Sequence, residues 1–280
     1  MRFSKAYKFI QFLLSMVFGI CILEVNSVAF GISTPYTWWG FILVLAEILV
    51  LINMIYRALH RRLVHKIKGD ISVYEDDCDP DGSLLLSDKV AKTISPPYNA
   101  WDIWFLSYRC LAYYSLGEED IARGILQDML DDISKATKGD HRAAFREFSV
   151  FPALASIEGR GVALEYIKDV EAFFMQDPKK YSSKLSYISE QREIALAEES
   201  GDPALRISVW RKQRKREDCS LRAKVVAAFH EAEGHREAGE TEEELALLRY
   251  VAEHGSKLRV GRIAVARLSE VEHGGANAIQ

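Results

Sequence analysis

Two long apolar runs near the N-terminus constrain this chain more than any other feature. Residues 7–32 read YKFIQFLLSMVFGICILEVNSVAFGI, and residues 38–59 read WWGFILVLAEILVLINMIYRAL. Each run has about the 20 mainly apolar residues that a helix needs to cross about 30 Å of hydrocarbon. The sequence therefore predicts a two-helix transmembrane hairpin within residues 1–68, with spans at about 9–31 and 38–59.

Basic residues mark the same side of the membrane at both ends of the predicted hairpin. Arg2, Lys5 and Lys8 precede the first span, and the connecting stretch GISTPYT carries no charge. The end of the second span and the residues after it are basic, with Arg57, Arg61, Arg62, Lys66 and Lys68, and no acidic residue occurs among them before Asp70. Because cytoplasmic flanks are enriched in Lys and Arg, we predict a multi-pass protein of the cell inner (plasma) membrane with both termini in the cytoplasm.

A cleaved signal peptide is the alternative interpretation of the first span. Its start is basic, and Ser27 to Ala29 resembles a small-residue cleavage site. Cleavage would leave only a few residues outside the membrane before the second span. The remainder of the chain is cytoplasmic in either case.

Three polar side chains inside the predicted spans are the candidate site residues. If the hairpin turns near Thr34, Glu24 and Glu47 lie at depths within about one helical turn of each other. Two carboxylates in a low dielectric cannot both stay ionised cheaply, so at least one is protonated or paired. We predict that Glu24, Glu47 and Asn53 make intramembrane polar contacts, within the hairpin, in a homo-oligomer or with another membrane protein. A role in transport is the alternative.

The segment 69–96 is acidic and predicts a solvated linker. Within it, DCDPDGSLLLSD places Asp77, Asp79, Asp81, Ser83 and Asp88 at loop positions 1, 3, 5, 7 and 12 of an EF-hand-like calcium site. Position 9 lacks an oxygen ligand, and Asp, Pro and Gly are also common in exposed turns. A calcium loop and an ordinary turn both remain open, and we assign no metal and no cofactor.

Residues 97–271 show helical periodicity throughout, which predicts an all-α domain. One broad apolar stripe consists of Ile121, Ala122, Ile125, Leu126, Met129, Leu130 and Ile133. Asp202 with Pro203 predicts a helix start, Thr241 to Glu244 predicts a capping box, and Gly255 predicts a helix end. Residues 272–280 are polar and glycine-containing, which predicts a disordered tail.

Glycines recur about every 40 residues in this domain, at the period of stacked helical hairpins. They are Gly117, Gly159, Gly201 and Gly239. The stretch AYYSLGEEDIARGIL, Ala112 to Leu126, resembles a tetratricopeptide repeat, with Tyr113, Gly117, Ala122 and Leu126 in the places of the family pattern. The resemblance implies stacked helix pairs with a concave surface for a peptide or helix of a partner. A generic helical bundle is the alternative.

Two charged motifs resemble sites that bind a metal or phosphate. HEAEGH, His230 to His235, resembles a zinc-binding HExxH, but histidines five residues apart lie about 140° apart around a helix. We interpret them as surface histidines. RKQRKR, Arg211 to Arg216, could hold phosphate, but in a chain of net charge −4 a helix face balanced by neighbouring glutamates is preferred. We predict no catalytic residue, no enzyme activity and no nucleic-acid partner.

These features together predict a membrane-anchored scaffold or adaptor. Its cytoplasmic domain, residues 97–271, is expected to bind an unidentified protein partner, and the hairpin could also form a homo-oligomer. The alternative is an accessory or regulatory subunit of a membrane transporter or other membrane complex, assembled through residues 1–68.

Replacement of Glu47 by leucine tests the role of the intramembrane carboxylate. If hydrogen bonds of Glu47 join helices, Glu47→Leu should abolish the oligomers or complexes that detergent extracts from the membrane. Size-exclusion chromatography of the extract measures this, with Ile48→Leu as the apolar control. Assemblies of unchanged size in Glu47→Leu would contradict the assignment.

Overall fold

The computed structural model describes residues 50, 54, 64–135 and 141–277. The chain divides into two compact units, Met1–Lys68 and Gly69–Gln280. Glu24, Glu47, Asn53 and almost all of the predicted spans 9–31 and 38–59 lie outside the described residues. None of the helices within the described ranges is long and apolar enough to cross a membrane.

The described residues form twelve helices and no strand, which confirms the all-α prediction for this part of the chain. The helices are α1 (64–76), α2 (Pro80–Ala91), α3 (Ala100–Leu116), α4 (Glu119–Ser134), α5 (His141–Ile157), α6 (Arg160–Tyr166), α7 (Lys168–Phe174), α8 (Ser182–Glu199), α9 (Pro203–Arg214), α10 (Leu221–Ala238), α11 (Thr241–His254) and α12 (Arg259–Asn277).

Four left-handed turns divide the domain into helix pairs. Gly117, Gly159, Gly201 and Gly239 all have positive φ, between 67° and 96°. They separate α3 from α4, α5 from α6, α8 from α9 and α10 from α11. Their intervals are 42, 42 and 38 residues, since 117 is followed by 159, 201 and 239. A residue with a Cβ is disfavoured in this conformation, so glycine is required for the chain to reverse there. The prediction of hairpin turns at these glycines is confirmed.

Helices pack mainly on their neighbours in sequence, as expected of a helical repeat. The most extensive exception is the contact between α3 and α5, the first helices of two successive pairs. In the second half of the domain, α10 packs between α9 and α11, and α11 packs on α12.

The apolar stripe predicted for α4 faces the larger hydrophobic core. Ala122, Leu126, Met129 and Ile133 are buried there, whereas Ile121 at the edge of the stripe is exposed. Burial of each large apolar side chain contributes about 1.5–3 kcal/mol. The same core buries side chains of α3, α5, α6, α7 and α8 and so joins the first two helix pairs.

The acidic segment 69–96 differs from the predicted linker, because it contains helical residues that pack on the repeats. Tyr74 is buried and donates a hydrogen bond to the carbonyl of Leu111 at 3.1 Å. Glu75 accepts a hydrogen bond from Nε of Arg222 at 2.8 Å. Glu75 is therefore paired with a basic residue of α10, and Tyr74 is anchored on α3.

The proposed calcium loop, residues 77–88, forms the start and body of a capped helix. Asp79 is the N-cap of α2, where Oδ1 accepts a hydrogen bond from the backbone N–H of Gly82 at 3.1 Å. Oδ2 of Asp79 accepts a hydrogen bond from Nζ of Lys257 at 2.5 Å. A calcium loop needs a backbone that turns its ligands toward one centre, whereas a helix spreads them around its axis. In the described part of the chain no cluster of three acidic, Cys or His residues suits a metal.

Helix ends follow the sequence prediction in two cases and differ in two. Asp202 is the N-cap of α9 and Gly255 the C-cap of α11, as predicted. The capping box at Thr241 is wrong, because Glu240 occupies the N-cap and Thr241 is already helical. At the other end of the domain, α12 extends to Asn277, into the segment predicted as a disordered tail.

Two glycines of the same helix pair allow a matched test of the left-handed turn. Gly117→Ala should destabilise the domain by about 1–2 kcal/mol, since a Cβ is strained at φ 86°. Gly124→Ala should stabilise it by about 0.5–1 kcal/mol, because Gly124 lies inside α4 and a Cβ there meets no atom within 4 Å. Urea unfolding measures both, and equal effects of the same sign would refute the assignment.

Candidate functional site

The motifs HEAEGH and RKQRKR bind each other instead of facing a ligand. Glu231 is 1% exposed and accepts hydrogen bonds from Nε of Arg211 at 2.8 Å and from Nε of Arg214 at 2.7 Å. Burial by itself would raise the pKa of Glu231, but the hydrogen bonds from Arg214 and Arg211 outweigh it and the pKa is lowered. Glu231 is therefore an ionised carboxylate that joins α9 to α10.

The interpretation of the two histidines as surface residues is wrong for His235, and His230 is only partly exposed. His235 is 3% exposed, contacts Nη2 of Arg211 at 3.1 Å, and reaches Glu240 through Nδ1 at 2.5 Å. His230 stacks on Trp210 with ring centroids 4.5 Å apart, and burial followed by the charges of Arg160 and Arg206 lowers its pKa to about 3. The physical reason is that α10 packs between two helices, so a helix that looks polar has little free surface.

The rest of the basic run is balanced by glutamates of α8, as predicted. Nζ of Lys212 lies 2.7 Å from Glu193, and Nη1 of Arg216 donates a hydrogen bond to Glu190 at 2.5 Å. Arg216 also pairs with Asp218 at 2.8 Å. Lys212 and Arg216 are thus held by carboxylates of the domain itself, and Lys215 is a further exposed cation of the run.

The residues predicted as intramembrane contacts, Glu24, Glu47 and Asn53, lie outside the described residues. The strongest candidate site in the described part is a different one, a cleft of about 730 Å³ bounded by α4, α5, α6 and α7. α4 and α7 both pack on α5 but their backbones do not approach each other, so the cleft is the gap between them above α5.

The cleft has an apolar floor and a polar rim. The floor consists of Leu130, Ile133, Ala144, Tyr166, Val170 and Phe173. The rim consists of Gln127, Asp131, Ser134, Glu147 and Asp169. Apolar surface surrounded by a few polar groups is typical of binding sites on proteins.

Aromatic rings in edge-to-face and tilted contact pack against Phe173 of the floor. Phe173 contacts Phe174 with centroids 6.0 Å apart, and Phe174 contacts Tyr181 at 4.8 Å and Phe145 at 5.8 Å. Phe174 is fully buried. Rings in offset or edge-to-face contact stabilise each other by about 0.5–1.5 kcal/mol a pair beyond their burial. The floor is therefore held in place before any ligand binds.

The charged side chains that line the cleft are all acidic. Two basic side chains of the bounding helices pair with carboxylates outside the lining, since Nη2 of Arg146 lies 2.6 Å from Asp132 and Nζ of Lys168 lies 3.2 Å from Glu165. Burial, and next the negative charge of Glu147, raises the pKa of Tyr166 to about 12, although Arg146 acts in the opposite direction. The lining thus combines three acidic side chains with a phenol that stays protonated.

Sequence reasoning missed this site because its carboxylates belong to three separate helices. Asp131, Glu147 and Asp169 each look like an ordinary solvent-facing acid within their own helix. The one signal was the stretch QDMLDD, whose acids crowd the C-terminal half of α4 with no basic residue in its last turn. Only the packing of α4 and α7 on α5 brings these three carboxylates to the rim of one cleft.

No protein-family model, no curated protein and no solved structure matches this chain. The cleft and the chemistry of the residues that form it are therefore the basis for a proposed function.

Glu231 and Glu193 allow the buried and exposed ion pairs of the basic run to be compared. Glu231→Gln should destabilise the domain by about 1.5–3 kcal/mol, because it removes charged hydrogen bonds from a buried acceptor. The loss stays in this range because the side chains of Arg211 and Arg214 are 44% and 29% exposed and water can solvate them. Glu193→Gln should cost less than about 1 kcal/mol, since its pair with Lys212 is exposed.

The lowered pKa of Glu231 predicts that the stability of the domain depends on pH. A carboxylate with a lowered pKa stabilises the folded state above its unfolded pKa, and this contribution is lost as the pH falls through the folded pKa. The stability difference between the unsubstituted protein and Glu231→Gln should therefore be full near pH 7 and shrink in acid. Urea unfolding at several pH values measures it, and a difference that grows in acid would contradict the network.

Proposed function

We propose that this protein is a membrane-anchored adaptor that binds a protein partner in the cleft between α4 and α7. The predicted spans 9–31 and 38–59 hold it in the inner (plasma) membrane, and the helical domain lies in the cytoplasm. The observation that carries the proposal is the preformed apolar floor with an acidic rim.

The dimensions of the cleft support protein binding. Its volume of about 730 Å³ is large enough for a few apolar side chains of one partner segment. All the elements that bound it are helices, so a partner is recognised through side chains placed in a groove. Stacked helix pairs commonly provide such grooves, because each new pair extends the surface of the last.

A tetratricopeptide relationship is part of this proposal for the pair α3–α4. Gly117 has left-handed backbone after Tyr113, and Ala122 is completely buried where the two helices meet, as the family pattern implies. The interval of 42 residues to Gly159 exceeds the repeat of about 34 residues in that family. The pairs here are accordingly proposed as longer relatives of that architecture.

The membrane anchor is supported by the apolar runs and their basic flanks. Val50 and Met54, the described residues of the second predicted span, are helical and exposed. Exposed apolar side chains on a helix are stable when lipid surrounds them. The carboxylates Glu24 and Glu47 keep the alternative open that the hairpin itself joins a transporter or other membrane complex.

Exchange of the anchor separates the two functions. Residues 1–63 are replaced by an unrelated two-span anchor, and crosslinking with mass spectrometry is done in intact membranes. An adaptor should keep its partner, with crosslinks at Lys168 of α7 and Lys135 beside α4. The matched control is the full chain at the same expression level.

A partner that is lost with the hairpin would show that the chain is instead an accessory subunit assembled in the membrane. A partner that is retained but crosslinks only to helices outside α4–α7 would contradict the cleft as the binding site.

A further inference from the structure

We propose that the loop between α2 and α3, residues 92–99, contacts the lipid headgroups of the membrane that holds the anchor, together with Trp101. Exposed side chains of the loop and of Trp101 would lie in the headgroup layer, with Lys89 and Lys92 beside anionic headgroups. This inference rests on the proposed function, because it requires that the predicted spans cross a membrane.

The helix α2 runs antiparallel to α1. The backbone N–H of Asp79 donates a hydrogen bond to the carbonyl of Val73 at 3.1 Å. Further along α2, Oγ of Ser83 donates a hydrogen bond to the carbonyl of Asp70 at 2.7 Å. As residue numbers rise along α2, the residues opposite them on α1 fall in number. The end of α2 and the loop after it therefore lie at the end of the domain where α1 begins.

The N-terminus of α3 lies at the same end. Oγ of Ser115 shares a hydrogen bond with Tyr74, in the second half of α1, at 2.7 Å. Earlier in α3, Nη1 of Arg109 donates a hydrogen bond to Oγ of Ser87, in the second half of α2, at 2.7 Å. Residue numbers in α3 therefore fall toward the start of α1. Trp101 comes eight residues before Arg109, so it lies about 12 Å further in this direction, at a rise of about 1.5 Å per residue.

Chain length holds this end of the domain near the membrane if residues 38–59 cross it. α1 begins at residue 64, five residues after the end of the predicted span. Because an extended chain covers at most about 3.6 Å per residue, α1 begins within about 18 Å of the hydrocarbon edge. Lipid is thus held close to the loop at a high effective concentration. A contact with lipid is therefore favoured over one with a separate protein.

Trp101 is exposed although it is fixed in place. It is 46% exposed, and its backbone N–H donates a hydrogen bond to Oδ1 of Asn99, the N-cap of α3, at 2.9 Å. Its ring meets that of Trp104 edge to face with centroids 5.2 Å apart, and Trp104 contacts Tyr108 in the same way at 5.1 Å. Tryptophan is enriched at membrane–water interfaces, where its apolar ring leaves water and its N–H keeps polar partners. Trp101 therefore presents the side chain that a headgroup layer favours.

The loop itself is uncharged and is fixed at its end. Residues 93–101 read TISPPYNAW and carry no charge, in a chain of which 27% is charged. Pro96 and Pro97 are exposed. The backbone N–H of Tyr98 donates a hydrogen bond to Oδ2 of Asp132 at 2.7 Å. Since burial of charge is far more costly than burial of uncharged groups, this loop can enter the headgroup layer at low cost.

Two exposed lysines precede the uncharged stretch. Lys89 lies in the last turn of α2, and Lys92 is its C-cap. Lys92 pairs with Asp88 at 2.7 Å, but the two side chains are 75% and 44% exposed, so this pair contributes little. Lysines close to a membrane surface are attracted to anionic lipids. Both lysines therefore favour the contact where the inner leaflet contains such lipids.

Photochemical labelling by lipid tests the contact on the full chain. Nanodiscs of phosphatidylcholine include a phosphatidylcholine with a diazirine near its headgroup, and mass spectrometry locates the adducts after illumination. Adducts on residues 93–101 should exceed those on Val265 at least about fivefold. Val265 is the matched control, because it is 47% exposed on α12. The nearby Arg262 donates a hydrogen bond to the carbonyl of Leu116, at the opposite end of α3, at 2.8 Å.

Matched substitutions locate the contact. Trp101→Asp should lower the adducts on residues 93–100 at least about fivefold, because it removes the interfacial ring. Val265→Asp makes the same change in charge and should leave these adducts within about twofold of their original level. Trp101→Phe keeps an aromatic ring and should retain at least about half of them. The replaced residues are exposed, and circular dichroism checks that the helical fold is kept.

A change of headgroup tests the lysines. Replacement of part of the phosphatidylcholine by phosphatidylserine should raise the adducts on residues 93–101 at least about twofold. Lys89→Glu with Lys92→Glu should abolish this increase. In nanodiscs of phosphatidylcholine alone, the same two substitutions should change the adducts less than about twofold.

Adducts on residues 93–101 that are no more frequent than those on Val265 would overturn the proposal. Equal losses in Trp101→Asp and Val265→Asp would overturn it as well. An increase with phosphatidylserine that survives Lys89→Glu with Lys92→Glu would refute the role of the lysines. If residues 93–101 crosslink to a protein in native membranes and take no lipid adduct, the loop is a protein interface and the lipid proposal fails.

The two proposals can fail independently. Adducts on the predicted spans 9–31 and 38–59 with none on residues 93–101 would leave the membrane anchor standing and refute the lipid contact of the loop. Lipid adducts on residues 93–101, in a chain whose partner is lost with the hairpin, would refute the adaptor function and leave the lipid contact standing.

Discussion

The left-handed turns at four glycines are the constraint on which the rest of this domain depends. Gly117 turns α4 back along α3, and Gly159 turns α6 back along α5. Because α3 and α5 also pack on each other, α4 comes to lie on α5, where α7 packs as well. The cleft is the space that this arrangement leaves. Backbone geometry therefore creates the cleft, and the side chains that face it form its lining.

The charged residues of the cleft lining differ from those in the second half of the domain. Around α10, several charged groups are joined in ion pairs, as with Glu231 and its two arginines or Glu75 and Arg222. Such pairs fix how neighbouring helices are aligned, since a buried charge without its partner is costly. The cleft rim has acids on three helices and no base among its lining residues. This difference is why we assign binding to the cleft and structural roles to the motifs HEAEGH and RKQRKR.

Periodicity and turn chemistry made the helical domain predictable. Local rules identified the stripe of α4, the cap at Asp202 and the turn glycines, because each depends on neighbours within a few residues. The same rules failed at Thr241, where the carboxylate of Glu240 bonds to His235 of the preceding helix and Glu240 itself becomes the N-cap. They failed for the acidic segment too, because the partners of Glu75 and Asp79 lie about 150 to 180 residues further along the chain.

By itself, the sequence determined that residues 97–271 form helices in pairs, and it predicts an anchor within residues 1–68, since helical period, turn glycines and apolar length act over short stretches. Only the tertiary structure decided that HEAEGH is a buried part of the core packing and that Asp131, Glu147 and Asp169 share one rim. The physical reason is that burial and electrostatic potential depend on which surfaces come together, and in stacked helix pairs those surfaces belong to residues far apart in the chain.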